Sequence, residues 1–163
     1  MKKDDLIFGK ADANDASAVL AMYKSVVGRP MCTWDEEYPG EREIAHDTET
    51  GNLFVLRKCR KIMGAVSIVP ENELDDLPFQ KSGDNGGEIA RVIIARDFQG
   101  KGYSEILVSS VLSEMKALGY DFVRLAVAEI NVPAQKTYFR LGFVKVGEHD
   151  MYGSHYFICD KKL

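Results

Sequence analysis

Residues 96–104 read Arg96-Asp97-Phe98-Gln99-Gly100-Lys101-Gly102-Tyr103-Ser104. They follow an apolar run from Ile89 to Ala95 that is typical of a strand, and they precede the helical pattern of Gly102 to Leu118. Glycines allow backbone N–H groups to approach an anion closely, and the N-terminus of a helix adds partial positive charge. This strand–turn–helix unit therefore predicts a site for a phosphate-bearing small molecule.

The turn does not match the two best-known phosphate-binding motifs. The Walker A pattern GxxxxGK[ST] is absent, and the dinucleotide pattern GxGxxG fails because Glu105 occupies its third glycine position. The pattern that remains is Gln-x-x-Gly-x-small, which Gln99, Gly102 and Ser104 satisfy. On its own, this pattern also fits an ordinary loop with glycine turns.

A second segment, Asn131 to Phe143, predicts a helix with a defined start and end. Asn131 is a good N-cap, and a proline follows in the first helical turn, where it is tolerated. Asn131, Ala134 and Tyr138 have the i, i+3, i+7 spacing of one helix face. Gly142 ends the helix before Phe143 enters the next strand. A capped core helix with a buried tyrosine is the alternative interpretation.

Together, and in this order, the two segments resemble the GNAT (GCN5-related N-acetyltransferase) superfamily. The matching motifs are the (Q/R)xxGx(G/A) pyrophosphate turn after a central strand and the later NxxAxxxYxxxGF segment. The resemblance extends over the whole chain in element order and is strongest from Glu88 to Phe143. Ser104 stands where glycine or alanine is usual, and its small side chain should still permit close approach of the backbone.

The resemblance implies an α/β fold in which residues 1–163 form a single GNAT-like domain. Its sheet would be mixed and twisted, with six to seven strands flanked by about four helices. The apolar pattern predicts strands at Leu6–Gly9, Leu53–Arg57, Lys61–Val69, Ile89–Ala95, Asp121–Ala128, Phe143–Glu148 and His155–Asp160. It predicts helices from Asp12 to Val27, Glu41 to Glu49, Gly102 to Leu118 and Val132 to Leu141, and a buried stripe of Leu107, Val111, Met115 and Leu118. Residues 70–87 form a long irregular segment, which is usually functional or mobile.

By this resemblance, the ligand looks like acetyl-CoA. The backbone amides of Gln99, Gly100, Lys101, Gly102, Tyr103 and Ser104 would hold its pyrophosphate, with the Lys101 side chain free to screen the charge. The backbone of Val92, Ile93 and Ile94 would pair with the pantetheine arm like an extra strand, where the two central parallel strands splay apart. Asn131 would lie near the pantetheine.

Acetyl transfer from a thioester to an amine needs a base for the amine, a donor for the oxyanion and a proton for the thiolate. The resemblance implies Tyr138 as the general acid, because a phenol is protonated near neutral pH; a buried core tyrosine is the alternative. Glu88 is the candidate general base, directly or through a water, and a solvated strand-end carboxylate is the alternative. The oxyanion donor is expected to be a backbone N–H within residues 92–94. Strand alternation would place Glu88, Ala90, Val92 and Ile94 on one face.

Two further residues are candidates for binding the acceptor. Trp34 precedes the acidic residues 35–37, in the region where the family builds its acceptor pocket, so it could line that pocket. A hydrophobic anchor beside a solvated acidic turn explains Trp34 equally well, and the acidic segment 71–76 allows the same two interpretations. Arg91 interrupts an apolar strand and must reach solvent or a carboxylate. A structural ion pair is favoured for Arg91 over substrate binding.

Composition restricts the location and the partners. The 163 residues carry a net charge of −4 without a long basic run, so no nucleic-acid partner is expected. Cys32, Cys59 and Cys159 lack metal or disulfide spacing, which argues against either site and favours buried thiols in a reducing compartment. Residues 1–5 lack the apolar core of a signal peptide, and no apolar run approaches the ~20 residues that span a bilayer. A cytoplasmic protein without a membrane partner is expected.

The sequence therefore predicts an acetyl-CoA-dependent N-acetyltransferase that transfers the acetyl group directly to a primary amine, without a metal. The acceptor is left open among small molecules, amino acids and protein amino groups. A non-catalytic acyl-CoA-binding sensor or regulatory module is the main alternative, and a transferase for another acyl group or an oxygen acceptor is a third. The oligomeric state is also open, and homodimers are common in the family.

Overall fold

A computed structural model describes residues 5–70 and 73–163 of the chain. The leader prediction rests mainly on residues 1–4, which lie outside the described residues, as do the first two residues of the acidic segment 71–76. Seven strands form one mixed sheet in the order β1-β2-β3-β4-β5-β7-β6. They are β1 (Leu6–Lys10), β2 (Leu53–Lys58), β3 (Lys61–Val69), β4 (Gly86–Ile94), β5 (Phe122–Ala128), β6 (Val144–Met151) and β7 (Ser154–Lys162). The helices are α1 (Ala16–Val26), α2 (Glu41–Glu49), α3 (Tyr103–Ala117) and α4 (Val132–Arg140).

Both faces of the sheet are covered by helices, which confirms the predicted mixed α/β fold. One core cluster packs the sheet against α3 and α4 and includes Leu107, Met115 and Tyr138. The other packs it against α1 and α2 and includes Tyr23 and Ile44. The apolar stripe of each helix therefore faces the sheet, as helical periodicity requires.

Three sequence predictions need correction. Leu118 was predicted to be buried but is 56% exposed, because α3 ends at Ala117 and the chain turns at Gly119 with a φ of +94°. The strand β4 begins at Gly86 rather than at Ile89, because glycine lets the Phe122 ring cover the strand. A Cβ atom on Gly86 would lie 2.1 Å from that ring. All three cysteine thiols were predicted to be buried. Cys159 is buried, whereas Cys59 is exposed and Cys32 is half-buried.

The strands β4 and β5 are the parallel pair at the centre of the sheet. Residues Gly86 to Glu88 pair with Phe122 to Arg124, and the described parts of the two strands show no further pairing with each other. The sheet therefore opens into a V-shaped gap beyond Glu88. The edges of the gap carry backbone groups that an extended ligand could pair with.

A bulge in β4 interrupts its alternation. Ala90 lies opposite Ser67 and Ile93 lies opposite Ala65, so two residues of β4 face Val66 alone. Arg91 has a φ of +54° at this point, in the left-handed region that only a few per cent of non-glycine residues occupy.

The bulge changes which side chains share a face. Ile93 packs in the cluster beneath α1 and α2, whereas Val92 and Ile94 pack beneath α3 with Ile89. Glu88 and Ala90 alternate with Ile89 and therefore point toward α1 and α2. The prediction that Glu88, Ala90, Val92 and Ile94 share one face is wrong, because the extra residue reverses the alternation.

The described part of the irregular segment is anchored to the sheet by a buried ion pair. Arg124 of β5 pairs with Asp160 of β7 through Nε–Oδ1 and Nη2–Oδ2 distances of 2.6 and 2.9 Å. The Arg124 guanidinium also donates to the backbone carbonyls of Leu74 at 3.2 Å and Gln80 at 3.1 Å. The Ser82 hydroxyl donates to Asp160 at 3.0 Å. These bonds hold residues 74–82 against the end of the sheet where β4 begins.

Candidate active site

The turn between β4 and α3 presents unpaired backbone donors. Gly100 and Gly102 have φ values of +72° and +83°, and a Cβ atom on either would meet nothing within 4 Å. The N–H groups of Gly100, Lys101 and Gly102 have no acceptor among the described residues. The N-cap of α3 is Gly102, which has no side chain to cap the helix. Open donors at a helix N-terminus fit a phosphate group.

The side chains of this turn hold its shape. The Gln99 amide donates from Nε2 to the Ile94 carbonyl at 2.9 Å, and its Oε1 accepts from Arg29 at 3.3 Å. Lys101 Nζ donates to the Asp97 carbonyl at 3.1 Å, and its role in screening the phosphate charge stays a prediction. The Tyr103 ring is buried against Phe98, with ring centroids 5.9 Å apart.

The edge of the gap lies directly before this turn. Ile93 and Ile94 pair with β3 on their other side, which leaves their β5 side without a strand partner. Asn131 follows the end of β5 and caps α4, with its Oδ1 accepting from the Ala134 N–H at 3.3 Å. The Asn131 side-chain amide group donates to no described residue. The gap therefore leads from the turn toward the start of α4.

Tyr138 packs on the α4 side of the gap. Its ring lies edge-on to Phe143 at 5.7 Å, and its side chain is buried. Its hydroxyl has no hydrogen-bond partner among the described residues. The hydroxyl oxygen nevertheless keeps a small exposure to solvent. Burial raises the pKa of Tyr138 above its usual value, so the phenol is protonated at neutral pH. This geometry suits a proton donor and is also compatible with the core-tyrosine alternative.

Glu88 lies on the opposite face, at the point where β4 and β5 separate. Burial raises the pKa of Glu88 to about 7. The positive charge of Arg91 opposes this rise, and the negative charges of Glu73 and Asp75 add to it. A carboxylate with a pKa near 7 can accept a proton at neutral pH and also release it. Glu88 and Tyr138 therefore approach the gap from different sides of the sheet.

Arg91 belongs to a buried polar network beneath α2. Its Nη2 lies 2.7 Å from Asp47 Oδ2, its Nη1 donates to the Tyr38 hydroxyl at 3.1 Å, and the Ser67 hydroxyl donates to Asp47 at 2.6 Å. The side chains of Arg91 and Asp47 are 11% and 5% exposed. This agrees with the structural ion pair that was favoured for Arg91. The sequence indicated that Arg91 needs a partner but did not identify Asp47. The available signal was helical spacing, because Asp47 lies three positions after Ile44 on the buried face of α2.

Aromatic side chains occur in the segment after α1 and in the β6–β7 hairpin. Trp34 packs edge-on against Tyr23 at 5.4 Å, which fits the hydrophobic-anchor interpretation. The Tyr156 hydroxyl donates to Thr33 Oγ1 at 3.0 Å. Tyr152, at the tip of the β6–β7 hairpin, is 84% exposed. The charges of Glu73 and Glu88 raise its pKa, which indicates that this tip faces the same acidic region. Sequence patterns did not single out Tyr152 and Tyr156, because the residues near them, such as Thr33 and Glu88, are distant in the sequence.

The sequence model of the acetyltransferase (GNAT) family matches residues 19–143. The chain belongs to this family. Membership identifies the protein as an acyltransferase and agrees with the resemblance carried by the Gln99–Ser104 turn and the Asn131–Phe143 segment.

Solved structures of other acetyltransferases have the same fold. A GNAT-family acetyltransferase from Streptococcus agalactiae has a TM-score of 0.82 at 16% identity, covering 97% of this chain and 95% of that one. The Salmonella typhimurium acetyltransferase yncA, solved with acetyl-CoA, has a TM-score of 0.76 at 17% identity, with coverages of 96% and 93%. A ribosomal-protein-alanine N-acetyltransferase from Brucella melitensis has a TM-score of 0.77 at 17% identity, with coverages of 96% and 99%. The comparison with curated proteins found no match.

In this GNAT acetyltransferase, the predicted site residues fall into two groups. Residues 92–94, 99–104 and 131 border the V-shaped gap or the turn at its end, with Glu88 and Tyr138 on opposite faces. Trp34 and Arg91 instead belong to the packing beneath α1 and α2. Within the described residues, no helix combines the length and the apolar character needed to cross a membrane.

Proposed function

We propose that residues 1–163 act as one N-acetyltransferase domain that transfers the acetyl group of acetyl-CoA directly to a primary amine. The observation that carries this proposal is the continuity of the site: unpaired amides at Gly100 to Gly102 adjoin the open edge of β4. A long ligand with a phosphate group at one end and an amide-bearing arm matches this arrangement. When bound, acetyl-CoA supplies the thioester.

The donor would be held mainly by backbone groups. The N–H groups of residues 99–104 would bind the pyrophosphate, and the glycines allow this approach because no side chain stands in the way. The backbone of residues 92–94 would pair with the pantetheine arm, as an added strand pairs with a sheet edge. The free amide group of Asn131 would donate to the same arm.

The chemistry would be shared between the two faces of the sheet. Glu88 accepts the proton of the amine, directly or through a water, because a base with a pKa near 7 is matched to neutral pH. A backbone N–H within residues 92–94 donates to the thioester carbonyl oxygen as negative charge develops there. Tyr138 donates its hydroxyl proton to the departing sulfur. No covalent bond to the enzyme is required.

The surroundings of Glu88 favour a cationic acceptor. Glu73 and Asp75 lie close enough for their charges to raise its pKa, and they would attract an ammonium group and repel an anionic acceptor. Small amines and protein amino groups both meet this condition, and the Brucella melitensis relative is named for a protein amino group. A cytoplasmic location, the absence of nucleic-acid and membrane partners, and a homodimer remain predictions.

The test is a turnover assay that detects free CoA thiol from acetyl-CoA across a panel of amines. The panel includes hydroxyl acceptors and is repeated with propionyl-CoA. We expect amine-dependent thiol release above hydrolysis. Binding of acetyl-CoA without thiol release for any acceptor would favour the non-catalytic acyl-CoA-binding module. Thiol release only with hydroxyl compounds would indicate a transferase for an oxygen acceptor. Release only with propionyl-CoA would indicate a transferase for another acyl group.

A further inference from the structure

We propose that Arg29 is a phosphate-binding residue of the donor site and that it links donor binding to the segment bordering the acceptor side. This inference rests on the proposed acetyl-CoA-dependent function. It concerns a residue that lies far from the turn in sequence and outside both sequence motifs.

Arg29 is held beside the pyrophosphate turn by the end of α1. Gly28, with a φ of +83°, turns the chain after the helix, and the Arg29 N–H donates to the Val26 carbonyl at 3.1 Å. The Arg29 carbonyl accepts from the Cys32 N–H at 3.0 Å. With its backbone fixed at both ends, Arg29 directs Nη1 to Gln99 Oε1 at 3.3 Å. The guanidinium therefore contacts the side chain of the residue that directly precedes the unpaired amides.

Two other cations near the turn, Lys101 and Lys61, have partners in Asp97. Lys101 Nζ donates to the Asp97 carbonyl, and Lys61 Nζ lies 3.7 Å from Asp97 Oδ2. The remaining side-chain N–H groups of Arg29 have no acceptor among the described residues. A guanidinium can donate two parallel hydrogen bonds to a phosphate, which makes it a strong phosphate ligand. Arg29 thus offers free N–H donors for a phosphate bound at the turn.

The segment from Arg29 to Tyr38 connects the two halves of the site. At its start, Arg29 contacts Gln99 of the donor turn. Further along, Thr33 accepts from Tyr156, and the Tyr38 hydroxyl accepts from Arg91, three residues after Glu88. A phosphate bound to Arg29 would therefore fix one end of a segment whose other end borders the acceptor side. We expect the bound donor to order residues 28–40.

The test compares binding of CoA with binding of acetyl-pantetheine, which lacks all the phosphates of CoA. Isothermal titration calorimetry is run on the full chain, on Arg29→Gln and on Arg42→Gln. Arg42 is an exposed arginine of α2, so its variant matches the charge change. We expect Arg29→Gln to weaken CoA binding about tenfold, as for loss of a charged hydrogen bond. Its affinity for acetyl-pantetheine, and the CoA affinity of Arg42→Gln, should stay within about twofold.

Hydrogen exchange of residues 28–40 with and without CoA tests the link. We expect CoA to slow exchange there in the full chain and to do so less in Arg29→Gln. Equal CoA affinity in Arg29→Gln and the full chain would overturn the phosphate contact, and so would equal losses for both ligands. Absence of CoA-dependent protection in the full chain would overturn the link alone. Absence of CoA binding to the full chain would instead refute the proposed function.

Discussion

Replacing Glu88 with glutamine should remove a pH dependence from both the stability and the rate. A pKa of about 7, in place of the ordinary 4.5, means that the folded protein favours the protonated carboxyl. A carboxyl with a raised pKa in the folded state stabilises the fold least when it is ionised. Its contribution is complete below pH 4.5 and is lost as the pH rises through 7.

The size of the effect follows from the pKa difference. A difference of this size corresponds to about 3 kcal/mol at most, since each pKa unit is worth about 1.4 kcal/mol. Glutamine cannot ionise, so Glu88→Gln should be more stable than the original chain at pH 8 by about 1 to 3 kcal/mol. The gap should shrink toward zero at pH 4. For a protein of this length, that is a rise in Tm of roughly 2–10 °C at pH 8.

The assay is thermal unfolding at pH 4, 6 and 8, with Glu49→Gln as the matched control because Glu49 is exposed on α2. The same variants are then assayed for thiol release against pH. If Glu88 is the base, thiol release by Glu88→Gln should be about a hundredfold slower. The rise in rate through pH 7 should also disappear from the pH–rate profile. A stability gap independent of pH would refute the burial of Glu88. An unchanged pH–rate profile would remove its role as base.

Tyr138→Phe should lower kcat at least tenfold while leaving the acetyl-CoA Kd within about twofold, because only the proton is lost; unchanged turnover would remove Tyr138 from the chemistry. Asp47→Ala should lower the free energy of unfolding in urea by about 3–5 kcal/mol, since it leaves the buried Arg91 guanidinium without its carboxylate partner. A loss under 1 kcal/mol would contradict the ion pair. Gly102→Ala should cost about 1–2 kcal/mol because its φ is positive, and calorimetry should show weaker CoA binding. The same change at Gly153, also at positive φ, should leave CoA binding unaltered.

Sequence reasoning predicted the order of the elements because local chemistry marks their ends. Asn131 caps α4 as expected, and α2 begins and ends at the predicted Glu41 and Glu49. Gly100 and Gly102 adopt the positive φ values that a tight anion-binding turn requires. These features depend on a few neighbouring residues, so a single sequence reveals them.

The parts that were missed depend on contacts between distant residues. The bulge at Arg91 places a non-glycine residue at positive φ inside an apolar strand, and no local pattern announces it. An arginine in an apolar strand indicates that a partner is needed without showing which one, so the pairing of Arg91 with Asp47 emerged only from the fold. Glu88 was a candidate from its position, whereas its raised pKa reflects burial that no single residue encodes.

The way in which Arg124 holds the segment 74–82 bears on how new acceptor specificities could arise. Its guanidinium donates hydrogen bonds to the backbone carbonyls of Leu74 and Gln80. Every amino acid has such a carbonyl group, so these bonds do not depend on the side chains at the two positions. Side chains on the outer surface of this segment can therefore change without releasing its anchor. Diversification of the acceptor preference could proceed by point substitutions there, while the donor turn and the sheet stay constant.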